Sequence, residues 1–339
     1  MQITRPLIAA FMFLALGTAS GQSAAADDLT DFSVRLPSAL SKFSGAGDVV
    51  AVGGASAGSR YASGINPASL DWQPSLDQPW TISPQLTSIR FDHGPRLDVG
   101  SASVGRNLAG AGSVQLIAAN IGNNGKQEGD FMLLQGNVAE LQWGKKLNDE
   151  LAVGVNLNYS RLNTKAGMGG FLLADGDTTT KGVRAGLLWG VSKKMLAGLV
   201  AEHAGSRYAA DQFNPTCFCL MPVSEKGRSN LVRAGLSYEY ADQSSLYLDY
   251  LASRFTSPSA ALSDRTVFAG VEHRVTPGVF LRGGVARGMR GTLAGTVGFG
   301  FAPSNNWSID IAYQHDMYAE LHPEFGRAKV FNAGLNFAL

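Results

Sequence analysis

From Trp80 to Leu339 the chain repeats one pattern, short runs in which apolar side chains take every second position and small or polar ones fill the places between. In Leu151, Val153, Val155, Leu157 and Tyr159 one face is apolar, while Ala152, Gly154, Asn156, Asn158 and Ser160 make the other small and polar. Val183, Ala185, Leu187, Trp189 and Val191 alternate with Gly182, Arg184, Gly186 and Gly190. Val232, Ala234, Leu236, Tyr238 and Tyr240 alternate with Arg233, Gly235, Ser237 and Glu239, and Trp307, Ile309, Ile311 and Tyr313 with Ser308, Asp310, Ala312 and Gln314. A period of two is that of a strand with one face in an apolar medium. The pattern predicts strands over 80–92, 96–108, 112–122, 136–146, 150–162, 180–193, 195–204, 228–241, 244–255, 264–275, 278–288, 290–302, 306–317 and 327–339.

The links between these strands alternate in length. Short ones at 109–111, 147–149, 193–194, 242–243, 276–277 and 303–305 take turns with longer ones at 122–135, 163–179, 205–227, 256–263 and 318–326. Membrane barrels with short periplasmic turns and long external loops have this rhythm, and an even strand number leaves both termini on the periplasmic side. Composition agrees. Only 16% of residues are charged and 41 are Gly, a poor match to a polar shell around a compact core. Past residue 30 no apolar run is long enough for a transmembrane helix, and in lipid a closed sheet is the alternative that satisfies every backbone group. The fold class read from the sequence is therefore all-β, a transmembrane antiparallel barrel of about 14 strands over 80–339.

Arg5 precedes an apolar stretch from Pro6 to Leu16, and small residues run on to Ala24, Ala25 and Ala26. That arrangement reads as a secretory signal over 1–26, cleaved after Ala26 or after Gly21, and places the mature chain in the outer membrane of a Gram-negative-type cell. A net charge of +1 and the lack of a basic stripe with interleaved aromatics give no case for nucleic acid.

Residues 27–79 do not alternate. A short helix is predicted over Leu36–Phe43, starting at Pro37, and the stretch from Gly45 to Gly64 is rich in Gly, Ala and Ser. Gly53, Gly54 and Ala55, followed by Ala62, Ser63, Gly64, Ile65, Asn66, Pro67, Ala68, Ser69 and Leu70, resemble the Gly/Ala-rich stretch and Asn-Pro-Ala motif of the FadL family. That family comprises outer-membrane transporters of hydrophobic molecules. The resemblance implies fourteen strands, an N-terminal hatch that plugs the lumen, and a hatch role for Asn66, Pro67 and Ala68. Arg60, Tyr61 and Ile65 depart from the family's acidic and aromatic residues before that motif. Near the C-terminus, Asn332, Gly334, Phe337 and Leu339 resemble the signal read by the barrel-assembly machinery.

Arg184, Glu202, Arg233, Glu239, Asp249, Glu272, Arg274, Arg282 and Asp310 fall on the polar faces of their strands, where they line the lumen rather than meet lipid. A mixed-sign network that braces the barrel is the reading preferred over a substrate site. Cys217 and Cys219 form a candidate disulfide in an external loop of an oxidising compartment. A metal role is disfavoured, since no His lies near them. His315 and Asp316 are adjacent on a strand and point to opposite faces, so they do not make a catalytic pair. Tyr238, Tyr240, Tyr313, Trp143, Trp189 and Trp307 suit interface girdles. The expectation is a non-enzymatic channel for a hydrophobic small molecule, fatty-acid-like or aromatic, without a cofactor. Its partners are that ligand, outer-membrane lipid and, during biogenesis, the assembly machinery. The alternative is a closed barrel acting as a scaffold or secretion accessory.

Overall fold

The computed structural model describes residues 52, 55–60, 64–72, 80–92, 96–123, 131–168, 171–214, 217–258, 261–288, 292–304, 306–316 and 326–339. The signal read over 1–26 and the helix predicted over Leu36–Phe43 lie outside these residues. The strands are β1 (Thr81–Phe91), β2 (Leu97–Asn107), β3 (Ser113–Gly122), β4 (Phe131–Lys146), β5 (Leu151–Met168), β6 (Phe171–Ser192) and β7 (Met195–Asn214). They continue with β8 (Cys219–Ala241), β9 (Ser244–Thr256), β10 (Ala261–Thr276), β11 (Val279–Gly288), β12 (Leu293–Ser304), β13 (Trp307–His315) and β14 (Ala328–Ala338). Each pairs antiparallel with its sequence neighbours, and β1 closes on β14 to make a 14-strand barrel.

The seam closes at both ends and is interrupted only at Ser83 and Pro84, where no pairs form across to β14 and Pro84 has no N–H to give. Thr81 faces Ala338 and Phe91 faces Ala328, while the Leu339 amide donates to the Trp80 carbonyl at 2.8 Å. A closed sheet has no free edge, so its ladder groups need no solvent partner. No described helix is long and apolar enough to cross a membrane.

The alternation orients the strands. Val155, Leu157, Val183, Leu187, Leu236 and Leu248 are exposed outward, whereas Ala152, Asn156, Arg184, Leu188 and Asp249 are buried inside. Trp189, Trp307, Tyr238, Tyr240 and Tyr313 all face out, and the Trp143 indole donates to the Ala111 carbonyl at 3.0 Å. Such an exterior suits lipid. At the end where β1 begins and β14 ends, turns are tight. Asp242–Gln243 and Pro277–Gly278 each reverse the chain, with φ of 52° at Gln243 and 77° at Gly278.

The opposite end differs from the sequence reading in one respect. Much of the links predicted over 163–179 and 205–227 is strand, because β6, β7 and β8 run to 22, 20 and 23 residues. About 9–11 residues span a bilayer, so these strands continue as a ribbon well beyond it. In water both faces of a ribbon can be polar, and the period-two signal disappears there.

Candidate functional site

The interior has two levels. At the lower one, nearer the tight turns, residues 55–60 and 64–72 lie against the inner wall of β4–β8. That wall is bare. Gly144 faces Gly154 and Gly154 faces Gly186, then one dyad further Gly198 faces Gly235, all on inward positions. A Cβ on Gly186 would overlap the Asn66 Oδ1 and lie 2.8 Å from Pro67 Cδ. On Gly144 it would lie 2.5 Å from the Pro67 carbonyl oxygen, and on Gly198 2.9 Å from the Gly58 nitrogen. Backbone can approach a strand this closely only where the side chain is missing.

Polar groups then fasten what the glycines admit. Asn66 is fully buried; its Nδ2 donates to the Ala57 carbonyl at 2.7 Å and to the Leu187 carbonyl at 3.0 Å. Its Oδ1 accepts the Ala68 amide at 3.1 Å, which opens the 3₁₀ turn Pro67–Trp72 with Pro at the first position, where a missing N–H costs least. Asp249 Oδ2 accepts the Ser56 and Ala57 amides at 2.9 and 2.7 Å, and also Arg233 Nε at 2.7 Å. Arg184 pairs with Glu202 at 2.7 Å and donates to the Gly64 carbonyl. The Ser237 hydroxyl donates to the Gly58 carbonyl, and Asp71 accepts from the Ser113 hydroxyl and, at 2.8 Å, from the Lys146 amide. Every ion pair here is buried, so removing one partner would strand the other.

At the upper level apolar side chains gather into two inward patches, the second beside a buried Glu225 opposite Tyr208 and a Gln212 amide that donates to the Tyr208 hydroxyl at 3.4 Å. Val330 on β14, Ile89 on β1 and Leu97 on β2 stand directly opposite one another and point inward. Ile121, Leu134 and Leu162 continue the patch across β3–β5, with Phe91 and Met132 packed against it. Across the barrel Tyr208, Ala210 and Phe255 form a second buried cluster, joined by Val223 and Leu262.

Of the residues singled out by sequence, Asn66, Pro67 and Ala68 come together on the glycine wall. Arg184, Arg233, Asp249, Glu272, Arg282 and Asp310 line the lumen. Arg282 joins Glu272 and Asp310 in a separate cluster, and Glu239 lies inward near the turns, half buried. Asn332 faces inward and donates to the Thr87 hydroxyl at 2.6 Å, Gly334 also faces inward, and Phe337 and Leu339 are exposed on the outside. Cys217 and Cys219 are joined in a disulfide at the tip of the β7–β8 hairpin, far from the lumen. Among the described residues no group of His, Cys, Asp and Glu could hold a metal ion.

Sequence reasoning missed Asp71, Ser237 and the pairing of glycines across strands. The available signal was Gly recurring on the inward phase of β5, β6 and β8, but which glycines face each other depends on register.

No family model matches the sequence, and no curated protein matches it. The fold does have relatives. The CymD monoaromatic hydrocarbon channel superposes with a TM-score of 0.60 at 14% identity, over 86% of this chain and 97% of that one. The toluene transporter TodX of Pseudomonas putida gives 0.52 at 12% identity, covering 88% and 96%. A FadL homologue of Pseudomonas aeruginosa gives 0.55 at 12% identity, covering 86% and 97%. The chain has the fourteen-strand barrel fold seen in these FadL-type transporters.

Proposed function

We propose that this protein is an outer-membrane channel for small hydrophobic molecules, closed by a hatch formed from the segment before β1. The observation that carries the reading is the stacking of the two levels: inward apolar patches stand above a polar level whose glycine wall is occupied by residues 55–60 and 64–72. A hydrophobic solute gains from leaving water for the upper level, at roughly 25 cal/mol per Å² of apolar surface buried. The lower level blocks water and ions. Structural neighbours named as a monoaromatic hydrocarbon channel and a toluene transporter support an aromatic hydrocarbon as the solute class.

In this reading Asn66, Pro67 and Ala68 are the keystone of the hatch. Asn66 ties two stretches of the hatch to each other and to β6, so a movement at one end is felt at the other. The buried Arg184, Arg233, Asp249 and Glu202 brace the barrel and hold the hatch at once.

The test is reconstitution of the full chain in liposomes and planar bilayers, with and without residues 45–75. Intact protein is expected to take up toluene and to show little ionic conductance, and the deletion is expected to conduct steadily. Toluene uptake no faster than through protein-free liposomes would overturn the transport reading. Unchanged conductance after deletion would overturn the hatch.

A further inference from the structure

The outer wall changes character at one height. On β6, β8, β9 and β10 the outward apolar series ends at Val183, Val232, Ala252 and Val267, and charged residues begin above it. Between β5 and β6 and around β14, β1 and β2 those charges are paired. Arg161 binds Asp177 at 3.0 Å, Lys165 binds Asp175 at 2.7 Å, Arg96 binds Asp98 at 2.9 Å and Lys329 binds Asp92 at 3.4 Å.

On β6–β8 the pattern is broken. Lys181 stands opposite Gly205, Gly205 stands opposite Arg228, and one dyad higher Arg207 stands directly opposite Lys226. All four cations are outward and exposed, and none makes an ion pair or hydrogen bond among the described residues. Like charges directly opposite on neighbouring strands repel. At the centre of the four lies Gly205, where a Cβ would meet nothing within 4 Å. The nearby outward acids do not fill the gap: Asp177 is held by Arg161, and Asp211 is four residues above Arg207 on the same face. Strands are about 4.8 Å apart, so Lys181 and Arg228 flank an opening of roughly 10 Å across the glycine. This is a dent of anion size, ringed by donors, above an apolar wall.

We propose that Lys181, Arg207, Lys226 and Arg228 seat a phosphate group of a lipid headgroup in the external leaflet, with the acyl chains of that lipid lying on the wall below. Arginine and lysine together suit phosphate oxygens, and the charges that repel each other in the bare protein are neutralised by the bound group. Arg254, opposite Asn230 on the next strand, extends the basic surface toward a second phosphate. The lipid is favoured over a free anion because the wall below the dent, beyond the exposed His203–Asn230 pair, carries the outward apolar side chains Val183, Val232 and Leu199, which only an acylated molecule would cover. The proposal rests on the membrane-spanning reading of the barrel and is independent of what the lumen carries.

The experiment uses the purified full chain in detergent, mixed with bis-phosphorylated lipid A or with the same lipid stripped of phosphate, and counts retained lipid by native mass spectrometry. The unaltered protein is expected to prefer the phosphorylated lipid by at least about tenfold. Combining Lys181→Gln, Arg207→Gln, Lys226→Gln and Arg228→Gln is expected to abolish that preference, while Arg90→Gln with Arg287→Gln, elsewhere on the rim, leaves it intact. Gly205→Leu supplies a second variant that keeps every cation and fills the dent, with the same loss expected. Retention of phosphorylated lipid by both altered proteins would overturn the site, as would its displacement by inorganic phosphate at the concentration at which lipid A itself competes. A chain that stays monodisperse in buffer without detergent would overturn the membrane reading, whereas a barrel that inserts into bilayers and shows no phosphate preference overturns this site alone.

Discussion

The lower and upper levels of the lumen solve the same problem in opposite ways. Both must fill the inside of a closed cylinder of fourteen strands. The upper level does so with bulk: Ile89, Leu97, Leu134 and Leu162 project inward and bury themselves without polar partners. The lower level removes side chains instead. Gly144, Gly154, Gly186, Gly198 and Gly235 clear a path for another piece of backbone, which must then be hydrogen-bonded by Asp249, Arg184 and Ser237. Apolar packing is non-directional and tolerates a passing solute, whereas the lower level works only with its own segment in place. On the proposed function, entry belongs to the upper level and closure to the lower.

Changes at the lower level should disturb closure, and the largest effect is expected there. Asp249→Ala removes the carboxylate that the buried Arg233 Nε and the Ser56 and Ala57 amides share, a loss of about 3–5 kcal/mol. Urea unfolding followed by heat-modifiable mobility would measure it, and bilayer recordings should show frequent openings. Asp249→Asn keeps an acceptor and should fall between the two. A stability equal to that of the unaltered protein would mean that Asp249 does not hold the segment.

Gly186→Val tests the seat itself. Its new side chain collides with Asn66 and Pro67, with an expected destabilisation of about 1–3 kcal/mol and a rise in conductance as the segment is displaced. A closed channel after this substitution would contradict the division between levels.

The upper level should answer differently. Ile89→Val removes one methyl group from the patch, at about 0.5–1.5 kcal/mol, and is expected to weaken hydrocarbon uptake while conductance stays low. Rising conductance would show that the apolar level also seals. The smallest effect belongs outside both levels. Arg161→Gln breaks an exposed pair with Asp177, which should change stability by less than about 1 kcal/mol and leave uptake and closure alone.

How much of this was legible beforehand follows from where each residue meets its solvent. Between lipid and lumen, alternation in β5, β6, β8 and β13 is clear because the two faces touch media of opposite polarity. In β5 the apolar series Leu151 to Tyr159 is outward, yet Leu162 points inward, an odd-to-even change of phase above the belt. Sequence alone takes such a change for the end of a strand, which is why 163–179 read as a loop. The inward acids and bases were legible for the same reason, since a charge facing lipid is too costly. That Arg184 meets Glu202 and Arg233 meets Asp249 was not, because each contact joins two strands.

The amino-acid sequence by itself determined that this chain makes a closed sheet with an apolar outside, because a period of two is a local property that every strand carries within itself. Tertiary structure alone decided which glycines stand side by side, what lies on them, and which four cations surround Gly205. Those are matters of register between strands, and a shift of one residue along any of them would turn every such side chain to the other face.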